Sequence, residues 1–246
     1  MRLPLTVPKS FRIIAHRGAS GYAPENTLAA FRLAEKMGIK EIELDVWFSK
    51  DNHIVICHDG SLDRYGYPGR HVTKLDLDAL LKLDMGSWFS PHLFSGERML
   101  TLEMLFRLFR DRFVYHVEIK EPLPGLVRKL LATIDAHGLE DRVIITSKHM
   151  DCLIRAKTAA PLIRTGWLLT KGSFRTKNID RAVKAGLFQI CPPAAETNKA
   201  LVAAARTELP EVRAWGVAGI ESALQAIDSG CDGFTINWPD WFVHQT

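Results

Sequence analysis

Short apolar runs and longer amphipathic stretches alternate along the chain. The runs RIIAH, EIELDVWF, HIVICH, FVYHVEIK, RVIITS, IRTGWLL, LFQIC, VRAWGV and GFTIN are rich in β-branched and aromatic residues and predict strands. Between most of them, NTLAAFRLAEKMG, TLEMLFRLF, LVRKLLATIDAHG, DCLIRAKTA, NIDRAVKAG, TNKALVAAART and IESALQAIDSG repeat apolar positions at helical spacing. Gly38, Gly138, Gly186 and Gly230 stand just past the last apolar position of their helices, where a stop is expected. Strands alternating with helices imply parallel pairing through right-handed crossovers. With HIVICH read as the second arm of a hairpin, about eight strand–helix units fill the 246 residues, the size of an α/β TIM (β/α)8 barrel. An open doubly wound sheet is the competing architecture, and the pattern weighs less towards it.

Residues 60–98 break the rhythm. They are too long for an ordinary connection and too aromatic for a disordered one, and connections of that length are usually functional. They predict a small inserted subdomain after the second barrel strand, packed over one mouth, within a single domain spanning 1–246. No internal repeat or low-complexity tract accompanies it.

Composition narrows the picture. An apolar share of 47% suits a full globular core. The net charge of +4 comes from scattered Lys and Arg, which argues against a nucleic-acid partner. Cys57, Cys152, Cys191 and Cys231 form no CxxC pair, against a zinc knuckle or disulfide framework and in favour of a reducing compartment. No run approaches the ~18 apolar residues of a membrane span, and the N-terminal stretch lacks the features of a signal peptide. The expectation is a cytoplasmic protein without stable membrane insertion; a homodimer is compatible with the sequence.

The reactive groups sit at predicted strand ends, where barrel active sites collect. Glu43 and Asp45 are two apart on one strand, so both point to the same face, roughly 7 Å apart. Glu118 and Lys120 repeat that spacing, His58-Asp59 close the hairpin arm, and His16-Arg17 close the first strand. Any one of these alone reads as surface alternation or a capping histidine. Together, three carboxylates at apolar strand ends require a cation, and oxygen-only ligands select Mg²⁺ or Ca²⁺ over zinc. Arg17 and Lys120 then suit a phosphoryl group, and His16 and His58 supply proton transfer. The constellation reads as a metal-assisted phosphodiesterase. A non-catalytic phosphoester-binding barrel would have no use for two proton carriers.

The motifs AHRGASGYAPENTLAAF, IELDVWFSKDNHIVICHDGSLDR, LKLDMGSWFSPHLFSGERMLTLEML and VEIK resemble those of the glycerophosphodiester phosphodiesterase family over nearly the whole chain. The resemblance implies a TIM barrel that releases glycerol 3-phosphate and an alcohol from small glycerophosphodiesters. It implies Glu43, Asp45 and Glu118 as ligands of Mg²⁺ or Ca²⁺, His16 and His58 as acid and base, and Arg17 and Lys120 on the phosphate. Trp88, Phe89 and Trp215 would wall the substrate pocket, and Glu25 and Asn26 would organise the first loop. Asn26 is equally placed to cap the following helix. A lysophospholipase D activity on longer lipids is the variant within the same chemistry. Trp215-Gly216-Val217-Ala218, Ile236-Asn237 and Ser147-Lys148-His149 depart from the family pattern, which bears on the preferred alcohol.

Overall fold

β-branched and aromatic residues form strands and the amphipathic stretches form helices in the order the pattern predicts. The computed structural model describes residues 3–245; residues 1, 2 and 246 of the expected span lie outside them. In chain order the strands are β1 (Leu5–Val7), β2 (Arg12–His16), β3 (Glu41–Phe48), β4 (Ile54–Ile56), β5 (Leu100–Thr101), β6 (Val114–Ile119), β7 (Val143–Ser147), β8 (Arg164–Leu168), β9 (Gln189–Cys191), β10 (Glu211–Val217), β11 (Gly233–Ile236) and β12 (Phe242–His244). The helices are α1 (Leu28–Lys36), α2 (Leu77–Leu80), α3 (Leu102–Phe109), α4 (Leu126–Ala136), α5 (Met150–Ala159), α6 (Thr176–Lys184), α7 (Lys199–Glu208) and α8 (Ile220–Asp228). None is long and apolar enough to cross a membrane among the described residues.

Strands β2, β3 and β6 to β11 pair in parallel, and β2 pairs with both β11 and β3, so the sheet closes into an eight-stranded barrel. The open doubly wound sheet is thereby excluded. β4 runs antiparallel to β3 with Val46 opposite Ile56, as the hairpin reading requires. β1 pairs with β12 in a separate two-stranded ribbon. Helix α1 is capped by Thr27, whose hydroxyl accepts from Ala30 N, so the capping role considered for Asn26 belongs to its neighbour.

The two faces of each barrel strand differ in chemistry. Outward residues such as Ile42, Leu44 and Val117 join Phe31, Phe106, Leu130 and Leu153 of the helices in one large core. Inward residues at the N-terminal end are charged: Arg12 pairs with Glu41 at 3.5 Å and Glu211 at 3.2 Å, and His116 lies 2.9 Å from Glu41. Burial pushes His116 down to about 4, so it is neutral at pH 7 and donates to Glu41.

Between β4 and β5 the chain makes two single-turn helices, Asp63–Tyr65 and Val72–Lys74, followed by α2. This stretch has its own buried cluster of Leu62, Tyr65, Val72, Leu80, Leu83 and Met85, which seats on Trp47 and Val55 of the hairpin.

Candidate active site

β3 and β6 are neighbours in register, with Asp45 opposite Glu118, and Glu43 is the previous inward position on β3. One oxygen from each of the three carboxylates lies within 4.8 Å of the others. All three are buried, Asp45 completely. Burial and mutual repulsion raise Glu43 well above the usual carboxylate range and raise Glu118 as well. Arg17 and Lys120 override burial at Asp45 and hold it far below that range. Lys120 Nζ stands 3.2 Å from both Asp45 and Glu118, yet Asp45 Oδ1 has no hydrogen-bonded partner. A buried carboxylate oxygen held by the charge of Lys120 but by no aligned hydrogen bond, beside two carboxyls reluctant to ionise, fits a divalent cation. The all-oxygen donor set matches a hard ion.

These raised values set a pH dependence. With metal absent, Glu43 and Glu118 take up protons in the folded chain at pH values where the unfolded chain has already lost them. Their contribution to stability therefore falls as pH rises through the folded values. Metal binding must displace those protons. Titration of Mg²⁺ into metal-free protein is expected to show weaker apparent affinity at pH 6 than at pH 8, with proton release. A pH-independent affinity would count against the carboxylate cluster as the metal site.

His16 ends β2, and the next residue leaves the strand: Arg17 has φ +56° and Gly18 φ +79°. A side chain on Gly18 would meet the Ala30 backbone at 2.6 Å, so α1 packs directly on the turn. This break lets two consecutive side chains face one cavity. Arg17 Nη1 donates to Glu25 at 2.7 Å while its Nε lies 3.1 Å from Asp45 Oδ2, close in charge but off the N–H direction. Asn26, also at positive φ (+58°), donates its amide to Asp45 Oδ2 at 2.9 Å. Glu25 further accepts from Tyr65 and Arg64, and Arg64 Nε lies 3.0 Å from Asp59.

The histidines differ in their partners. His16 Nδ1 is 2.7 Å from Asn237 Oδ1, so Nδ1 carries the proton and Nε2 is left as an acceptor, 3.8 Å from Glu43. Burial, then Arg17, push His16 down to about 3. His58 Nδ1 contacts Asp59 at 2.7 Å. Burial lowers His58 too, while Asp45 and Asp59 favour its protonated form.

These groups converge on a cavity of about 160 Å³ lined by His16, Arg17, Glu43, His58, Glu118 and Lys120, with Lys148, Arg213 and Trp215 on the far wall. Trp215 is fixed by its indole N–H on Leu169 O at 3.0 Å, and Lys148 Nζ sits 5.6 Å above its ring. Trp88 and Phe89 lie outside this lining; Trp88 stacks edge-on against Tyr65 and Phe89, under Arg64. A larger groove of about 710 Å³ between α4 and α5 carries none of these groups. The sequence assigns no role to Arg213, names Asn237 only as a departure from the family pattern, and contains Arg64 only as the last residue of the HDGSLDR motif. For Arg213 the signal is the inward alternation along β10 and for Asn237 its continuation one residue past β11; Arg64, on a single-turn helix, is marked only by closing the HDGSLDR motif.

Residues 16–241 match the model of the glycerophosphoryl diester phosphodiesterase family. The chain belongs to that family. A glycerophosphodiester phosphodiesterase of Caldanaerobacter subterraneus is 33% identical over 236 residues, 94% of this chain and 96% of the relative. A solved phosphodiesterase of Oleispira antarctica, in complex with the product sn-glycerol-3-phosphate, superposes with TM-score 0.85 at 27% identity, covering 93% of this chain and 94% of the other. The glycerophosphodiester phosphodiesterase of Agrobacterium tumefaciens gives 0.79 at 25%, over 94% and 98%. The protein is accordingly a phosphoric diester hydrolase of the glycerophosphodiester class.

Proposed function

We propose that the protein hydrolyses glycerophosphodiesters to glycerol 3-phosphate and an alcohol, using Mg²⁺ or Ca²⁺ held by Glu43, Asp45 and Glu118. The observation that carries this reading is the meeting of that carboxylate cluster, two cations and two histidines in one small cavity. The bound ion supplies charge to polarise the phosphodiester. Arg17 and Lys120 hold the phosphoryl oxygens. His16, with Nε2 free, takes the proton of the attacking hydroxyl, and His58, beside Asp59, returns one to the leaving alkoxide. A neighbouring glycerol hydroxyl is the nucleophile, giving a cyclic phosphate that water opens as the histidines exchange roles. Support also comes from the glycerol 3-phosphate bound in the Oleispira relative.

A cavity of this size suits a short diester. The lysophospholipase D variant draws on exposed Trp88, Phe89 and Leu93, which stand apart from it. The deciding assay measures glycerol 3-phosphate released from glycerophosphocholine. EDTA is expected to abolish turnover and added Mg²⁺ or Ca²⁺ to restore it; metal-replete protein without turnover on any glycerophosphodiester refutes the proposal.

A further inference from the structure

Arg213 is among the largest side chains buried in the molecule, 1% exposed. It occupies the inward position of β10 immediately below Trp215 and lines the cavity. Among the described residues no carboxylate oxygen lies within 4.0 Å of its guanidinium. Glu211, the nearest acid on its own strand, is engaged by Arg12 and Gln189. What Arg213 does have is weak: Nε reaches Gln189 Oε1 at 3.4 Å, and Nη2 is buried with no partner at all. A buried unpaired guanidinium charge is costly. Of the other cations of the cavity, Arg17 is committed to Glu25 and Lys120 to Asp45 and Glu118, while Lys148 lies over the Trp215 ring. β10 also faces β3 and β6 across the barrel. An anion held by Arg17 and Lys120 would therefore meet Arg213 from the opposite wall.

We propose that Arg213 is an oxyanion-binding residue of the cavity's far wall, donating its free guanidinium edge to a non-bridging phosphate oxygen of substrate and product. This rests on the proposed function only in placing a phosphoryl group in the cavity. The fork geometry of the side chain suits two such oxygens at once.

The test is calorimetric titration of inorganic phosphate into Mg²⁺-loaded wild type, Arg213→Met and Arg213→Lys. Phosphate contains no glycerol, so the result stands whatever the outcome on glycerophosphodiesters. Arg213→Met is expected to lose about tenfold or more in phosphate affinity, the usual scale for a charge-assisted hydrogen bond. Arg213→Lys is expected to recover part of it. In phosphate-free buffer Arg213→Met is expected to melt at or above the wild-type temperature, because an unpaired buried charge has gone, and to lose most of the stabilisation that phosphate gives the wild type. Unchanged phosphate affinity in Arg213→Met, or a wild type that binds no phosphate, overturns the assignment; the first with a lowered melting temperature makes Arg213 a purely structural residue. Should Arg213→Met fail to fold, Arg213→Gln takes its place in the same comparison, where lost affinity supports the assignment and unchanged affinity overturns it.

Discussion

His16→Ala and His58→Ala, made separately, are each expected to lower kcat/KM on glycerophosphocholine by about 100-fold or more, the lower range for a positioned acid or base. Neither ring is among the three carboxylate ligands, so bound metal per chain, read by elemental analysis, is expected to stay at the wild-type value. The pair also separates by pH. His16 is neutral down to about 3, so the acid limb of the wild-type pH–rate profile belongs to other groups, and His16→Ala is expected to lower the curve without moving that limb. A near-wild-type rate in either variant removes that residue from proton transfer.

Asp45→Asn is expected to be the most damaging single-atom change. Asp45 accepts the Asn26 amide and stands against both Arg17 and Lys120. Neutralising it leaves two cations facing each other in a buried site, a loss of about 3–5 kcal/mol for breaking such a network from one side. For a chain of this length that lowers the melting temperature by roughly 10 °C, and turnover is expected to vanish because the proposed phosphate clamp and a proposed metal ligand fail together. Because Asp45 is held far below its unfolded value, its contribution to stability is fully present above the unfolded value and is lost only as pH falls through the depressed one. Wild type is therefore expected to keep its advantage over Asp45→Asn well into mild acid. Equal melting temperatures at pH 7 would show that Arg17 and Lys120 are not anchored by Asp45. Glu43→Gln makes the contrasting case, since Glu43 is already strained towards its protonated form.

The barrel was legible because its signal is long-range and redundant. Nine strand-like runs and seven helical stretches fall where the structure has β2, β3, β4, β6 to β11, and the seven principal helices. β1, β5, β12 and α2 were not: they have two to four residues each and stand outside the strand–helix alternation that marks the equally short β4 and β9. The carboxylate trio was legible because strand alternation alone carries Glu43 and Asp45 to one face. Its surroundings were not. Asn237 lies 221 residues from His16 in the chain, and only barrel closure brings them together. That contact also changes the meaning of Ile236-Asn237, a departure from the family pattern in which the amide is an orienting group for a histidine. In the same way Arg213 reads in the sequence as a polar interruption of VRAWGV, whereas closure makes it a buried cation.

The break after His16 is sharper than Gly18 alone would suggest, since Arg17 itself adopts the left-handed conformation. A residue that must be both an arginine and a positive-φ hinge cannot be exchanged for lysine or glycine without loss, the first failing the fork and the second the charge.

The two separate buried clusters have a consequence for how the molecule yields. Opening of residues 60–98 exposes only the smaller cluster, so it costs a fraction of the global unfolding free energy. That segment carries Arg64, the strut between Glu25 and Asp59, which in turn steady Arg17 and His58. The weakest seam of the protein thus runs through the contacts that hold Arg17 and His58 in place, while the carboxylates remain anchored in the barrel wall. Thermal fluctuation can loosen Arg17 and His58 without disturbing the three carboxylates beneath them.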